Sequence, residues 1–526
     1  MRHLRSATVL AAVFVTALAA GPALAGASSP KAPDAASQGG SITVLEPIGF
    51  NGNWTGFDPA VTTSLSEFAG SVLGTLFDVG PHYALVPNLA TGYKVSDGGL
   101  TLTINLRQGV TFSNGDPFNS SVVAFNFKRD IDPTLPNGFT NALDWPMSSV
   151  TTPDNYTVVA QFSRVFAPIV GELLPSSGTP FSLVVDPIAL QKMGQAAYNL
   201  TPVGAGPFEV QSDIPSSKLE LARNPHYWKA GYPKLDNIHV ESVGTDESAY
   251  EAMLAGQAQV YESMGTLSLV KTAQSSKQVS IYKVPPNSPF IAKFNTVAAP
   301  FNNALARQAL YYATDPQTIA QHLFDNQYPL TQSPTGPAGL FYQPKVPGYR
   351  TYDLAKAKDL VHQLGGLHFD MDVFNLPFVV QTADALQAQW QKAGINVTLT
   401  PVNLTQFIET FRSGQWTSFL TIAGSYDPAV GTLSVDNSFM SASPFSGVHN
   451  QTLDAMLNQA ASTLNASQRA TDYRNIFKYL SDNAYGVFMF NFAVFNMYTK
   501  NVVGAVGPPG VGGVGSVITW ANVSLR

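Results

Sequence analysis

The clearest pattern along the chain lies between residues 97 and 115. Leu100, Leu102, Ile104 and Leu106 alternate with Thr101, Thr103, Asn105 and Arg107. That period of two predicts a strand with one buried and one wet face. Asp97-Gly98-Gly99 precedes it and supplies residues that tolerate positive φ, as a tight hairpin turn demands. Ser113-Asn114-Gly115 closes the unit with a second turn. Ser41 to Leu45 predicts an opening strand, and Pro153-Asp154-Asn155 a turn into another over Tyr156 to Phe162. Helical patterns follow with clear punctuation. One runs from Glu247 to Ala255 and stops at Gly256, and Asp246-Glu247 suits its start. A second, Ala304 to Ala313, opens behind Asn303. Asp315-Pro316 restarts a third, with Asp as N-cap and Pro in the first turn. Tyr352-Asp353 caps a Lys/Ala helix ending at Gly365-Gly366. Another, about Thr382 to Ala393, ends at Gly394 and returns as a strand over Ile395 to Leu399. This helix–Gly–strand step is the αβ unit of a sheet covered by helices. Asn465-Ala466-Ser467-Gln468 resembles a capping box opening a helix to about Asp482. No internal repeat is visible.

Length and composition narrow the class. The 526 residues are enough for two or three domains. With 45% hydrophobic and 12% charged residues, the chain can bury a large core. Its net charge of −6 and the lack of basic runs argue against nucleic acid as a partner. Residues 1–25 read as an export signal: Arg2 and Arg5, an apolar run from Ala7 to Ala20, then Ala23-Leu24-Ala25 as a cleavage site. Its removal takes the net charge to −8. Residues 26–40, rich in Ala, Ser, Pro and Gly, read as a flexible tether. Beyond the signal no run approaches 18 apolar residues, so no further span is predicted. There is no cysteine, which excludes disulfides, thiolate metal sites, Cys nucleophiles and a lipid anchor on Cys. The expected location is secreted or periplasmic.

Catalytic and cofactor motifs do not emerge. The eight histidines are scattered, and no pair has the i, i+4 spacing of a helical zinc site, so neither metal nor cofactor is expected. Gly510-Val511-Gly512-Gly513-Val514-Gly515 matches G-x-G-x-x-G, but only 11 residues follow, too few for a βαβ unit. No G-x-S-x-G elbow is present. Carboxylates such as Asp427 and Asp436 cannot be paired in space from sequence. No enzyme is predicted.

The stretch Ala90 to Gly115 resembles the signature of the family 5 extracytoplasmic solute-binding proteins, the peptide- and nickel-type receptors of ABC importers. Pro202-Val203-Gly204-Ala205-Gly206-Pro207-Phe208 is similar to the family's Pro-Val-Gly-Thr-Gly-Pro-Tyr turn, with glycines expected to let the chain bend between lobes. Leu219 to Trp228, Pro233 to Asp236, and Phe301, Arg307-Gln308-Ala309 and Asp315 add to the likeness. Leu24-Ala25-Gly26-Ala27 resembles a lipobox with Ala27 where many relatives carry the lipidated Cys.

The resemblance implies an α/β, periplasmic binding protein-like fold of the cluster C type: two large lobes with a hinge, plus an extra small domain. Lobe I would comprise 41–78, 203–290 and 491–526, the small domain 79–202, and lobe II 291–490. The function implied is capture of a peptide or related small solute and delivery to a membrane ABC permease, by a chain expected to be monomeric. The alternative is the same fold serving an uncharged ligand such as an oligosaccharide. A secreted hydrolase is the rival class.

The site residues follow partly from this resemblance. Asn53 and Trp54 lie in a loop that ends in Asp58-Pro59, as a cleft loop of the family does, although an ordinary turn reads the same. The family's Trp-x-x-Asp-x-x-Asp/Glu-Pro pattern corresponds to Thr421 through Pro428. There Gly424 stands where the ammonium-binding Asp would be, followed by Ser425, Tyr426 and Asp427. A slipped register would give the role to Asp427, and a plain turn is the other reading. Trp54, Trp145, Trp416 and Tyr426 are candidates for stacking on a ligand. For Trp145 and Trp416 the alternative is core packing.

Overall fold

The computed structural model describes residues 38–48, 51–62, 64–137, 145–175, 180–263, 266–422, 439–443, 445–512 and 517–526, with backbone alone at 51, 404, 405, 408 and 412. The expected export signal, most of the tether and positions 424–427 lie outside these residues. The expected tether ends before Gly39, because Gly39 N–H donates to the Lys234 carbonyl (2.7 Å) and Gly40 N–H to Asp236 Oδ2 (2.8 Å).

The chain opens with β1 (Ser41–Pro47). β2 (Phe77–Val79) and β3 (Leu85–Pro87) form a short ribbon. β4 (Ala90–Ser96), β5 (Thr101–Leu106), β6 (Met147–Asp154) and β7 (Thr157–Phe162) then build a four-stranded antiparallel sheet in the order β4-β5-β7-β6. β8 (Phe208–Ile214), β9 (Lys218–Arg223), β10 (Asn237–Val243), β11 (Val260–Ser263) and β12 (Val279–Lys283) add to the opening strand. β13 (Ser288–Phe294), β14 (Leu367–Phe374), β15 (Ile395–Val402), β16 (Ser418–Ile422) and β17 (Gly486–Phe492) make a five-stranded sheet in the order β15-β14-β16-β13-β17. β18 (Phe495–Thr499) returns to the first, giving seven strands in the order β12-β18-β11-β1-β10-β9-β8. β19 (Val502–Val503) and β20 (Ser524–Leu525) close a final ribbon.

The fold is thus mixed α/β, as the helix–Gly–strand punctuation predicts. The hairpin over residues 90–106 forms, with Asp97, Gly98 and Gly99 all at positive φ (52°, 63° and 97°), but the alternation departs at its start: Leu100 precedes the strand half-buried and Thr101 is buried. Leu102, Ile104 and Leu106 are buried in its core. Asn303, Asp315, Asp353 and Asn465 each cap a helix through the side chain.

Two expectations are corrected. The helix expected from Thr382 begins at Pro377, because proline's fixed φ suits the first turn and Thr382 sits inside, its hydroxyl donating to the Phe378 carbonyl (2.7 Å). The reciprocal capping box lies at Asn403 and Gln406; at residue 468 the side-chain amide donates to Asp472 instead.

The glycines of Pro202–Phe208 do different work from bending. Ala205 N–H donates to the Leu73 carbonyl (2.9 Å) and Gly206 N–H to that of Val72 (3.0 Å). They satisfy the last carbonyls of the helix Ala69–Leu73, which that helix cannot bond itself. A Cβ on Gly204 would lie 1.8 Å from the Val72 oxygen, so close approach is what requires glycine here.

Three large cores hold the sheets. The first lies under the face of the seven-stranded sheet that carries Leu45 and Tyr261 and continues to Phe290, Trp390 and Phe492 of the five-stranded half. The second fills the four-stranded sheet and reaches Tyr473 and Phe477 on the helix Ala466–Asp482. The third packs the other face of the seven-stranded sheet, through Val44, Val240 and Val260, on Phe57, Phe68 and Tyr198.

Candidate functional site

The two larger sheets are joined by two adjacent passages. One, Val284–Asn287, leads from β12 to β13; the other, Ala493-Val494, leads from β17 to β18. They run side by side, with Val284 N–H donating to the Val494 carbonyl (2.9 Å). The flanking side chains are polar and fully buried: Ser288 and Asn491 on one side, Asn496 on the other. The Ser288 hydroxyl and both asparagine amides make no hydrogen bond among the described residues. Leaving a buried polar group unmade costs about 1–3 kcal/mol. Such groups persist where a ligand or ordered water completes them.

A second polar group stands at the carboxyl ends of the parallel strands β1, β10 and β11, where open α/β sheets place their ligands. Val44 pairs with Val260 and Leu45 with Tyr261, and Glu46 and Glu262 each follow the last of these pairs. Both are buried. Asp246 begins the helix Asp246–Leu254 and accepts from the Tyr261 hydroxyl, from Ser263 Oγ (3.0 Å) and from Thr266 N–H (2.8 Å). Burial, and then the Asp246 charge, push the Tyr261 phenol up. The same two causes, in the same order, raise Tyr328, which stacks on Phe324 in the five-stranded half. One carboxylate therefore acts on tyrosines from both halves.

Asn53, Trp54, Trp145 and Trp416, the expected site residues that the structure describes, do not gather there. Trp54 is buried in the third core, with Nε1 donating to Asp213 Oδ1 (2.8 Å), while Asn53 is half-buried in the turn before it. Trp145 is a core residue of the small sheet. It stacks on Phe181 (centroids 4.5 Å apart) and meets Phe162 edge-on. Trp416 packs against Phe411 and Phe419 beneath the helix Leu404–Ser413. Trp54, Trp145 and Trp416 are thus each packed in a core, the reading already weighed for Trp145 and Trp416. Their large apolar rings fill cores, as most buried aromatics do.

Sequence reasoning passed over several buried charges. Asp58 is fully buried and takes a two-pronged ion pair from Arg129 (2.7 and 2.8 Å), which pins the Asn53–Thr62 loop to the helix Ser120–Asp130. Lys293 is fully buried. Its ammonium donates to the Phe445 carbonyl and lies 5.1 Å from the Phe411 centroid and 5.9 Å from that of Trp416. Burial holds its pKa well below the ordinary lysine value. Asp58-Pro59 was visible as a turn, but nothing local marks Arg129 as its partner. Lys293 and Glu46 were detectable as single charges inside apolar strands.

The model of the bacterial extracellular solute-binding proteins, family 5 (middle region), matches residues 84–438. This chain belongs to that family. Heme-binding protein A of Haemophilus influenzae is 26% identical over 425 residues, covering 74% of this chain and 75% of that protein. The glutathione-binding protein GsiB of Salmonella typhi is 29% identical over 326 residues, 60% of this chain and 61% of that relative. The match to GsiB thus spans less than two thirds of its length. Among solved structures, DppA of Helicobacter pylori in complex with the peptide STSA superposes with a TM-score of 0.80 at 21% identity, covering 93% of this chain and 98% of that one. The shared architecture is that of periplasmic binding proteins. Among the described residues no helix is long and apolar enough to cross a membrane.

Proposed function

We propose that the protein is the solute receptor of an ABC importer, holding a peptide or peptide-like solute between its two larger sheets. The observation that carries this reading is the paired passage at Val284–Asn287 and Ala493-Val494. Two short adjacent connections let two rigid halves turn about one line, and the unsatisfied amides of Asn491 and Asn496 flank that line. Closure is favoured only by as much as the cargo prefers the closed state. The seven-stranded sheet and the ribbon of β19 and β20 form one lobe, the five-stranded sheet the other, and residues 79–202 the additional domain. Relatives named for heme, glutathione and peptides favour a compact, multiply hydrogen-bonding solute over an oligosaccharide. Export through residues 1–25, work outside the cytoplasmic membrane as a monomer, and docking on a permease complete the proposal. The chain binds without altering its cargo.

The test is a thermal-shift screen of di- to pentapeptides, glutathione and heme, followed by mass spectrometry of the bound compound. A saturating cargo at a hundred times Kd stabilises by about 2.7 kcal/mol and is recovered intact. A cleaved compound, or no shift with any of them, would overturn the reading.

A further inference from the structure

We propose that the carboxyl ends of β1 and β11 form a subsite for a cationic group of the cargo, a protonated amine or a guanidinium. This rests on the reading that the cargo lies between the two larger sheets. Glu46 and Glu262 each stand one residue beyond Leu45 and Tyr261, the last pair in the ladder of the parallel strands β1 and β11. In-register neighbours project to the same side of a sheet. Both side chains are at most 5% exposed, so both carboxyl groups stand in one poorly hydrated place.

The independent observation is Asn496. It pairs with Glu262 across β18, so its amide points to the same side as both acids. It is 1% exposed, and neither its Oδ1 nor its Nδ2 has a hydrogen-bond partner among the described residues. An acceptor oxygen left open beside two carboxylates suits a group with several N–H donors and positive charge. An ammonium has three donors and a guanidinium five. An anionic or purely apolar cargo group would meet like charge or leave the amide unmade.

The position also fits binding by closure. Asn496 is the second residue beyond the Ala493-Val494 passage, so the subsite lies beside the line about which the halves turn. A cation held here is therefore covered as the halves meet, where water no longer screens it.

The experiment is titration calorimetry on the full-length exported protein with matched probes. One pair is Ala-Ala-Ala and its N-acetyl form; the other is acetyl-Ala-Lys-Ala-amide and its norleucine analogue. The charged member of at least one pair should bind about ten- to a hundred-fold tighter. Glu46→Gln and Glu262→Gln should each erase that preference while leaving the affinity for the neutral member within about two-fold. Asn496→Ala should reduce it. Equal binding of charged and neutral members by the wild-type chain overturns the subsite and leaves the receptor reading standing, whether or not the variants fold. A preference that survives both Glu→Gln changes also overturns it. If neither pair binds at all, the peptide reading falls and takes the subsite with it.

Discussion

A single atom decides more at Gly204 than the flexibility of its backbone does. A methyl group there would stand 1.8 Å from the Val72 oxygen, in a segment whose amides close the helix Ala69–Leu73. Gly204→Ala should cost about 3 kcal/mol or more, because backbone must move on both sides. Gly92→Ala, where a Cβ meets nothing within 4 Å, should stay within about 0.5 kcal/mol in the same urea titration. Equal effects would mean that close approach is not the constraint. Asp58 makes the complementary case. Its partner Arg129 is 71 positions away, and the Gln195 amide also donates to its Oδ2 (2.5 Å). Asp58→Asn keeps the shape but leaves a buried guanidinium without its counter-charge, so a loss of about 3–5 kcal/mol is expected on chemical denaturation. The sequence displayed the Asp-Pro turn and the glycines. What it could not display were the groups they face, since those come from distant parts of the chain.

Secondary-structure elements were far more legible than contacts. Caps and hairpin turns act through neighbours two to four positions away, which is why Asn303, Asp315, Asp353 and Asn465 were readable as helix starts. Asn465→Ala should therefore cost about 1 kcal/mol, measured by urea unfolding, despite lying on the surface. The tryptophan candidates were not legible in the same way, because a tryptophan reads identically in a core and in a cleft. Where β13 meets the helix Leu404–Ser413, burial offers a pH test. Lys293 is held well below its usual pKa by desolvation, so the folded state gives up that proton before the unfolded chain does. Between the depressed value and about pH 10.4 the unfolded chain carries more protons, and this group's contribution to stability rises with pH. Lys293→Met removes the titration. The stability of the wild type relative to that variant should climb from pH 7 to pH 10, read by urea midpoints. A constant difference would show that the ammonium is not desolvated.

At the scale of the whole molecule, order along the chain foretold discontinuity better than it foretold geometry. The likeness of Ala90–Gly115 and Leu219–Trp228 to one family brought a two-lobed architecture with it, yet which side chains stand at the passages depends on register across β11, β18 and β17. Lys283 ties the halves just beside the first passage. At the end of β12, its ammonium donates to the Gln327 carbonyl (2.6 Å) and Oε1 (3.2 Å), in the segment after the helix Pro316–Phe324 of the five-stranded half. These bonds bridge the two halves in the arrangement described here. Lys283→Met keeps the aliphatic stem and removes only the donors. It should shift the unliganded population toward the open form and weaken cargo about two- to ten-fold, in proportion to the lost closed fraction. Small-angle scattering should then give a larger radius of gyration without cargo and the wild-type value at saturation. The melting temperature should change little, because the aliphatic stem that methionine keeps still covers the first core at Val284, Phe324 and Tyr328. An unchanged radius in both states, with unchanged affinity, would mean that Lys283 plays no part in closure.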